Sequence, residues 1–385
     1  MGTGGSKGRS SSGHLLPYFP RTQKYPCRSS ALGWGHKSHR PRPCARLFTE
    51  RIAHTDDMGT VSVIEALGET RSFQTRHGSR VAIVGGGMLG TTLALRYRQA
   101  GRIVTVFEAA ERVERRGHSA IASRDRALLA LLQELDLASS VHWDTARING
   151  LRFGAMAGGR ARIVETLRDR ARAIDVDFRL GTPVRSISAD GAGFGVDTGS
   201  ETGEFDEVVM TLPSPDAARL LETLPDRERT TLADVAYIGI INVSFVLKPL
   251  PAKNLAGRYI THVTRGRDHF ALVDPSALNA PGDSRRSLMY VTRPLATKDE
   301  LFEADDRYVI EHFARALPGG SDITSARVMR MPHAFARRRL ESFRSSVPGL
   351  SIVNAAHMGG GRHHLERTAV LAGSAFRTLC AERIS

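Results

Sequence analysis

The chain predicts an α/β fold built on a parallel, nucleotide-binding sheet, and three observations carry that expectation. Val81-Ala-Ile-Val-Gly-Gly-Gly-Met-Leu-Gly90 sets four apolar residues, a short buried strand, directly before glycines at 85, 87 and 90. Leu89–Ala100 then reads as a helix closed by Gly101, and Ile103–Phe107 as a second buried strand. Glu108 ends that strand, 23 residues on from Gly85. In a G-x-G-x-x-G loop the first glycine permits the tight turn and the second lets a pyrophosphate approach the backbone. The third lets helix and strand pack closely, and the diphosphate sits at the positive helix N-terminus. An acid at the end of the next strand accepts the ribose hydroxyls. Gly85, Gly86, Gly87, Met88, Leu89 and Gly90 are therefore candidate dinucleotide contacts, with Glu108 the candidate ribose acceptor.

At 385 residues the chain can hold two domains with real cores. The formal charge is +14, but residues 1–80 carry 13 Lys/Arg against 5 Asp/Glu, a net +8, leaving +6 for the other 305. Beyond that, arginines alternate with acids, as in Arg124-Asp-Arg126 and Arg168-Asp-Arg170. That is the pattern of solvated helix faces, so no nucleic-acid partner is expected. The 3 cysteines form no C-x-x-C pair, which points to a reducing compartment, read here as cytoplasmic. The longest strongly apolar stretch, Val235–Leu247, is broken by Asn242 and Ser244 and too short to span a bilayer, so no transmembrane segment is expected. Residues 1–49 contain no Asp or Glu and no sustained periodicity. Residues 1–78 are read as a disordered or over-extended segment, with Met58 a candidate start and a transit peptide the rival reading.

The α/β pattern continues. Arg124–Ala138 reads as a helix burying Leu128, Leu131, Leu132 and Leu135, and Arg160–Ile174 as another with Ile163, Leu167, Ala171 and Ile174 inward. Strands are expected at Asp177–Leu180, Val184–Ala189, Gly193–Asp197 and Phe205–Thr211, divided by Gly and Asp turns. Residues 216–335 read as two short helices, strands at Tyr237–Leu247, Arg258–Thr264, Phe270–Val273 and Ser287–Thr292, and a helix near Asp299–Ala316. Ser351–Asn354 is a late strand and Leu365–Arg383 the closing helix.

On these residues the chain resembles the flavin amine oxidase superfamily, which includes protoporphyrinogen oxidase. It is most like bacterial NAD(P)/FAD-dependent oxidoreductases related to UDP-galactopyranose mutase. The likeness rests on the glycine loop with Glu108 and on collinear stretches at Gly158–Ile163, Leu180–Ile187, Phe205–Pro215 and Val347–Ala356. The resemblance implies a Rossmann-like FAD-binding domain, residues 79–212 and 336–385, with an inserted α+β substrate domain, residues 213–335. It implies FAD as cofactor, with Val184 meeting the adenine through backbone groups, and Asn354, Ala355 and Met358 lining the flavin. The final helix, near Thr368, would aim its N-terminus at the flavin or phosphate. It also implies oxidation or desaturation of a small-molecule substrate by hydride transfer to flavin.

Two departures stand out. Relatives carry a Gly-Gly pair after the acid where this chain has Glu114, Arg115 and Arg116, and they have longer insertions, including a helical lid. Weak turnover is expected on that ground. The alternatives are a degenerate, non-catalytic dinucleotide-binding relative and a nicotinamide-dependent reductase. His357, His363 and His364 beside Gly359-Gly-Gly-Arg362 read as a polar loop at the cofactor's edge, and no metal site is expected. No catalytic side chain is assigned, and the oligomeric state is not legible.

Overall fold

The structure, a computed structural model, describes residues 78–381 apart from 113–120, 149–150, 157, 190, 192, 249–259, 276–286, 338, 343 and 359–363. The expectations for residues 1–77 and for Glu114–Arg116 lie outside the described residues.

The first strand, β1 (Arg80–Val84), leads through the glycine loop into α1 (Met88–Gln99) and returns as β2 (Ile103–Glu108). A short β3 (Ile121–Ala122) precedes α2 (Arg126–Glu134), the hairpin β4 (Val141–Ile148) and β5 (Leu151–Met156), and α3 (Gly159–Arg172). Then follow β6 (Asp177–Leu180), β7 (Ser186–Ala189), β8 (Phe194–Asp197), β9 (Thr202–Phe205) and β10 (Glu207–Met210). Next come α4 (Ser214–Leu220), α5 (Asp226–Ala233), β11 (Tyr237–Leu247), β12 (Ile260–Arg265), β13 (Asp268–Val273) and β14 (Ser287–Ala296). The chain ends with α6 (Asp306–Ala314), β15 (Ile323–Ala336), β16 (Leu350–Ile352) and α7 (His364–Ala381).

Five strands form one parallel sheet in the order β16-β10-β1-β2-β6. Val81 to Val84 are all buried, as both-face coverage of a parallel sheet requires. One face is covered by α1, α2, α3 and α7, through Leu93, Leu128, Leu132, Leu167 and Ala372 among others. The other is covered by the antiparallel sheet β7-β8-β9 and by α4, through Ile187, Val196, Phe205 and Ala217. The strand order runs outward from β1 to β2 and β6, then reverses to β10 and β16. The switch point therefore falls at the carboxyl ends of β1 and β10, where a crevice opens in folds of this kind.

A second, antiparallel sheet is built in one excursion between β10 and β16, in the order β12-β13-β14-β11-β15. Its core side, Ile241, Val243, Phe245, Phe270, Met289 and Val291, packs with Val309 and Phe313 of α6. The α/β fold with an α+β insertion is thus as the sequence implied.

Several boundaries differ from the sequence reading. The helix expected over Arg124–Ala138 ends at Glu134, because Asp136 turns left-handed at φ 58°. The strand expected from Phe205 to Thr211 is two strands, parted at Asp206, whose carboxylate accepts the Arg80 N–H at 2.7 Å. The helix near Asp299–Ala316 contracts to α6, since Asp305 caps it by accepting the Tyr308 N–H. The β4–β5 hairpin and the 14-residue β15 were not expected at all. Neither shows clean alternation: β15 is buried mostly at a half level, because it lies at the edge of its sheet.

Candidate dinucleotide site

The glycine loop closes on its neighbours as its spacing demands. Gly85 has φ 110°, a conformation side chains rarely adopt, and a Cβ there would strike the Thr211 hydroxyl. A Cβ on Gly90 would strike the Gly85 carbonyl oxygen, so this position sets how closely α1 approaches β1. Gly87 is the opposite case. It is exposed, and a Cβ there would meet only the Arg160 Nη2, at 3.8 Å.

Gly86 is buried, and its N–H donates to Glu108 Oε2 at 2.7 Å, while the Ala110 N–H donates to Oε1 at 2.9 Å. An ionised carboxylate accepts about four hydrogen bonds, so two sites remain for ribose hydroxyls. Gly87 caps α1, whose N-terminus has no side-chain cap and no acid in its first turn. Its leading N–H groups are therefore open to an anion. Met88 and Leu89 send their side chains into the core, which leaves only their backbones toward the loop.

Thr211, at the end of β10, was not singled out from the sequence. Its hydroxyl lies 2.8 Å from the Val84 carbonyl and 3.1 Å from that of Gly85, pinning the end of β1 at the switch point. Arg160 was also missed as a site residue. It is the second residue of α3, and burial holds its guanidinium pKa below the ordinary arginine value. In each case the signal was only positional, a polar residue just past a strand or just inside a helix.

Val184 lies half-buried in the connection between β6 and β7, packed on the core under the parallel sheet. Thr182 near it donates its N–H to the Glu108 carbonyl at 2.9 Å, which ties the Val184 segment to the end of β2.

Asn354 follows β16 at the same sheet edge, and the Val353 N–H donates to the Met210 carbonyl. The Asn354 side chain is buried: Nδ2 donates to Leu212 O at 2.8 Å and to Ser214 Oγ at 3.1 Å, and Oδ1 accepts the Ala356 N–H at 3.0 Å. It caps the short 3-10 turn Ala355–His357 reciprocally with His357, whose Nδ1 accepts the Asn354 N–H. His357 is buried, with its Nε2 2.9 Å from the Ser342 carbonyl, and burial lowers its pKa. The expectation that His357 belongs to a polar edge loop is corrected: desolvation and two backbone partners make it a neutral brace. Met358 is half-buried against the helical core. Thr368 lies buried one turn inside α7 rather than at its start. His363 and Gly359–Arg362 lie outside the described residues.

The seam toward the second sheet is polar and specific. The Ser214 N–H donates to Tyr237 Oη at 3.0 Å, and that hydroxyl donates to Ser214 Oγ at 3.1 Å. His333 of β15 lies 3.3 Å from Asp216 of α4. Burial raises the Tyr237 pKa, so its phenol stays protonated at neutral pH.

An adenine dinucleotide fits what is present. The loop offers an uncapped helix N-terminus, a glycine with open space where a phosphate would approach, and an acid with spare acceptor sites. Among solved structures, a protoporphyrinogen oxidase candidate from Exiguobacterium sp. 255-15 superposes with a TM-score of 0.60 at 14% identity, covering 79% of this chain and 99% of its own. Putrescine oxidase gives a TM-score of 0.56 at 14% identity, with coverages of 79% and 99%. The p-nitrophenol 4-monooxygenase of Pseudomonas putida DLL-E4 gives 0.52 at 14%, with coverages of 80% and 82%. No protein with a curated description matches the sequence. The family model for flavin containing amine oxidoreductases matches residues 127–329, more than half of the chain, beginning beyond the glycine loop. Sequence likeness in the middle of the chain and loop geometry before it are thus independent, and they agree: the chain belongs to the flavin containing amine oxidoreductase family, and its cofactor is FAD.

Proposed function

We propose that the protein oxidises or desaturates a small organic substrate by hydride transfer to FAD. The observation that carries this reading is the convergence of Gly85–Gly90, Glu108, Thr211 and Asn354 at one edge of the parallel sheet, beside the excursion between β10 and β16. In this reading residues 79–212 and 336–385 hold the cofactor and residues 213–335 hold the substrate.

When bound, FAD supplies the hydride acceptor. The chain's own residues bind and orient. Gly87 and the α1 N-terminus receive the pyrophosphate, Glu108 the ribose, and the Val184 segment the adenine, while Asn354 and Met358 hold the return strand against the flavin end.

Substrate is proposed to lie on the sheet face turned away from α6. On β11 that face carries Ile240, Asn242 and Ser244, alternating with the core residues. Directly across stand Thr292 and Tyr290 of β14 and Met329 and Met331 of β15. Asn242 Nδ2 donates to Thr292 Oγ1 at 2.5 Å, and Tyr290 and Phe153 of β5 both pack against Ala155 and Val273. Apolar and thioether contacts with a few fixed hydrogen-bonding groups suit a small, largely apolar molecule. Burial by the covering hairpin raises the Tyr290 pKa and keeps its hydroxyl a donor.

The test is spectroscopic. The purified protein is expected to show flavin absorption, and anaerobic mixing with amines, porphyrinogens and polyene precursors follows bleaching near 450 nm, roughly where oxidised flavin absorbs. Bleaching by one class supports the reading and names the substrate class. Tight FAD with no bleaching by any class would overturn it in favour of a non-catalytic relative.

A further inference from the structure

We propose that Arg160 is the phosphate-pairing residue of this site, reaching the FAD pyrophosphate from α3 across the mouth of the glycine loop. The inference rests on the FAD assignment above.

Position comes first. Arg160 sits in the first turn of α3, directly after Gly158 at φ 81° and Gly159 at φ 52°. Its Nη2 is the one described atom within 4 Å of where a Cβ on Gly87 would lie. The guanidinium thus faces the glycine that a pyrophosphate must approach. Neither α1 nor α3 has an acid in its first turn or a side-chain cap, so two helix N-termini and one cation share this region.

Surroundings come second. Arg160 is half-buried, and burial lowers its guanidinium pKa. No carboxylate or hydrogen-bond acceptor pairs with it among the described residues. Of the other arginines of α3, Arg170 pairs with Asp136, Arg168 and Arg172 lie over the Phe178 ring, and Arg162 is exposed to solvent. A half-buried, unpaired cation costs folding stability, and such groups mark places where a ligand brings the counter-charge. The planar guanidinium matches a pyrophosphate, which presents several oxygens to a bidentate donor.

The experiment uses the full-length holoprotein, with FAD release on dilution followed by flavin fluorescence and with ADP and adenosine as competitors. Arg160→Met is expected to weaken FAD and ADP by about 10- to 100-fold, the range for losing a charge-assisted hydrogen bond. Adenosine, which lacks phosphate, is expected to bind unchanged. Arg160→Lys should fall between, and the exposed neighbour Arg162→Met should match wild type. With that charge gone, the flavin-free Arg160→Met protein should melt no lower than flavin-free wild type, while its gain in Tm with FAD shrinks. Unchanged FAD affinity, or equal losses for ADP and adenosine, would overturn the inference. If Arg160→Met does not fold, the wild-type and Arg160→Lys comparison decides: an ADP-selective loss supports it and no loss overturns it. A wild-type protein that binds neither FAD nor ADP overturns the cofactor assignment as well, so the two failures are told apart.

Discussion

The Glu108 carboxylate closes a 2.7 Å hydrogen bond onto the backbone N–H of Gly86, tying the end of β2 to the turn that leaves β1. One side chain therefore shapes the phosphate loop with one oxygen and steadies Ala110 with the other. In the proposed reading the same acid takes ribose hydroxyls on its remaining lone pairs.

Glu108→Gln should damage loop and ligand together. An amide keeps one oxygen but points an NH2 group at a backbone N–H, so a hydrogen bond becomes a conflict. A loss of about 1–3 kcal/mol in folding stability is expected, together with weaker FAD retention. Denaturant unfolding and flavin content per mole of protein measure the two effects. Full flavin content in the variant would remove Glu108 from the site.

Gly87→Asp and Gly90→Ala should fail in opposite ways. Gly87 is exposed with open space around its Cβ position, so aspartate there is expected to fold normally and to purify without FAD, repelling the pyrophosphate. At Gly90 even a methyl group meets the Gly85 carbonyl, so alanine is expected to lower Tm. Melting curves and absorbance spectra of both variants separate binding loss from folding loss.

The pH dependence follows from His357. Its folded pKa lies below the ordinary 6.5 because burial disfavours the charged ring. The unfolded chain thus binds the proton first. Its contribution to stability is complete above about pH 6.5 and is lost as pH falls from there through the folded pKa. His312 in the second sheet is shifted the same way, chiefly by burial and then by Arg315. Tm should therefore fall below pH 6.5, and His357→Gln should flatten part of that fall at the cost of a lower Tm at pH 8. A wild-type Tm independent of pH between 5 and 7 would contradict this.

A fourth test lies at the other end of the parallel sheet. Arg102 and Glu207 form an ion pair at 3.0 Å with side chains only 2% and 7% exposed. Removing one partner leaves the other buried without its counter-ion, and Arg102→Met is expected to cost about 3–5 kcal/mol. The double change Arg102→Met with Glu207→Met should recover much of that, as a double-mutant cycle by urea unfolding would show. FAD affinity of the folded fraction should not change, since the pair sits at the amino end of the strands.

How much of this was legible beforehand depended on the range of the interaction. The glycine loop, Glu108 and the strands on either side were read correctly because each is a local pattern: apolar runs, a turn, an acid at a fixed interval. The steric constraints at Gly85 and Gly90 followed from spacing alone, since backbone sterics act over a few residues. The helix ending at Glu134 was overextended because Asp136 adopts φ 58°, a single-residue choice that periodicity does not register. The hairpin β4–β5 and strand β15 went unread because their burial comes from neighbours distant in sequence. Phe153 and Ala155 of β5 pack with Val273 and Tyr290, and Asn242 stands opposite Met329.

The sequence by itself determined the class of fold, the dinucleotide loop and the family likeness, all of which rest on short-range backbone requirements. Only the tertiary structure decided which polar residues face the site and which brace it. Asn354 and His357 lie at the expected sheet edge, yet their side chains turn inward to cap a 3-10 turn and hold Leu212 and Ser214. Arg160 looked like one more arginine on a charged helix until α3 packed beside α1 and set its guanidinium against Gly87. The physical reason is common to both: whether a charge or amide meets solvent, backbone or ligand depends on what the packed chain leaves beside it.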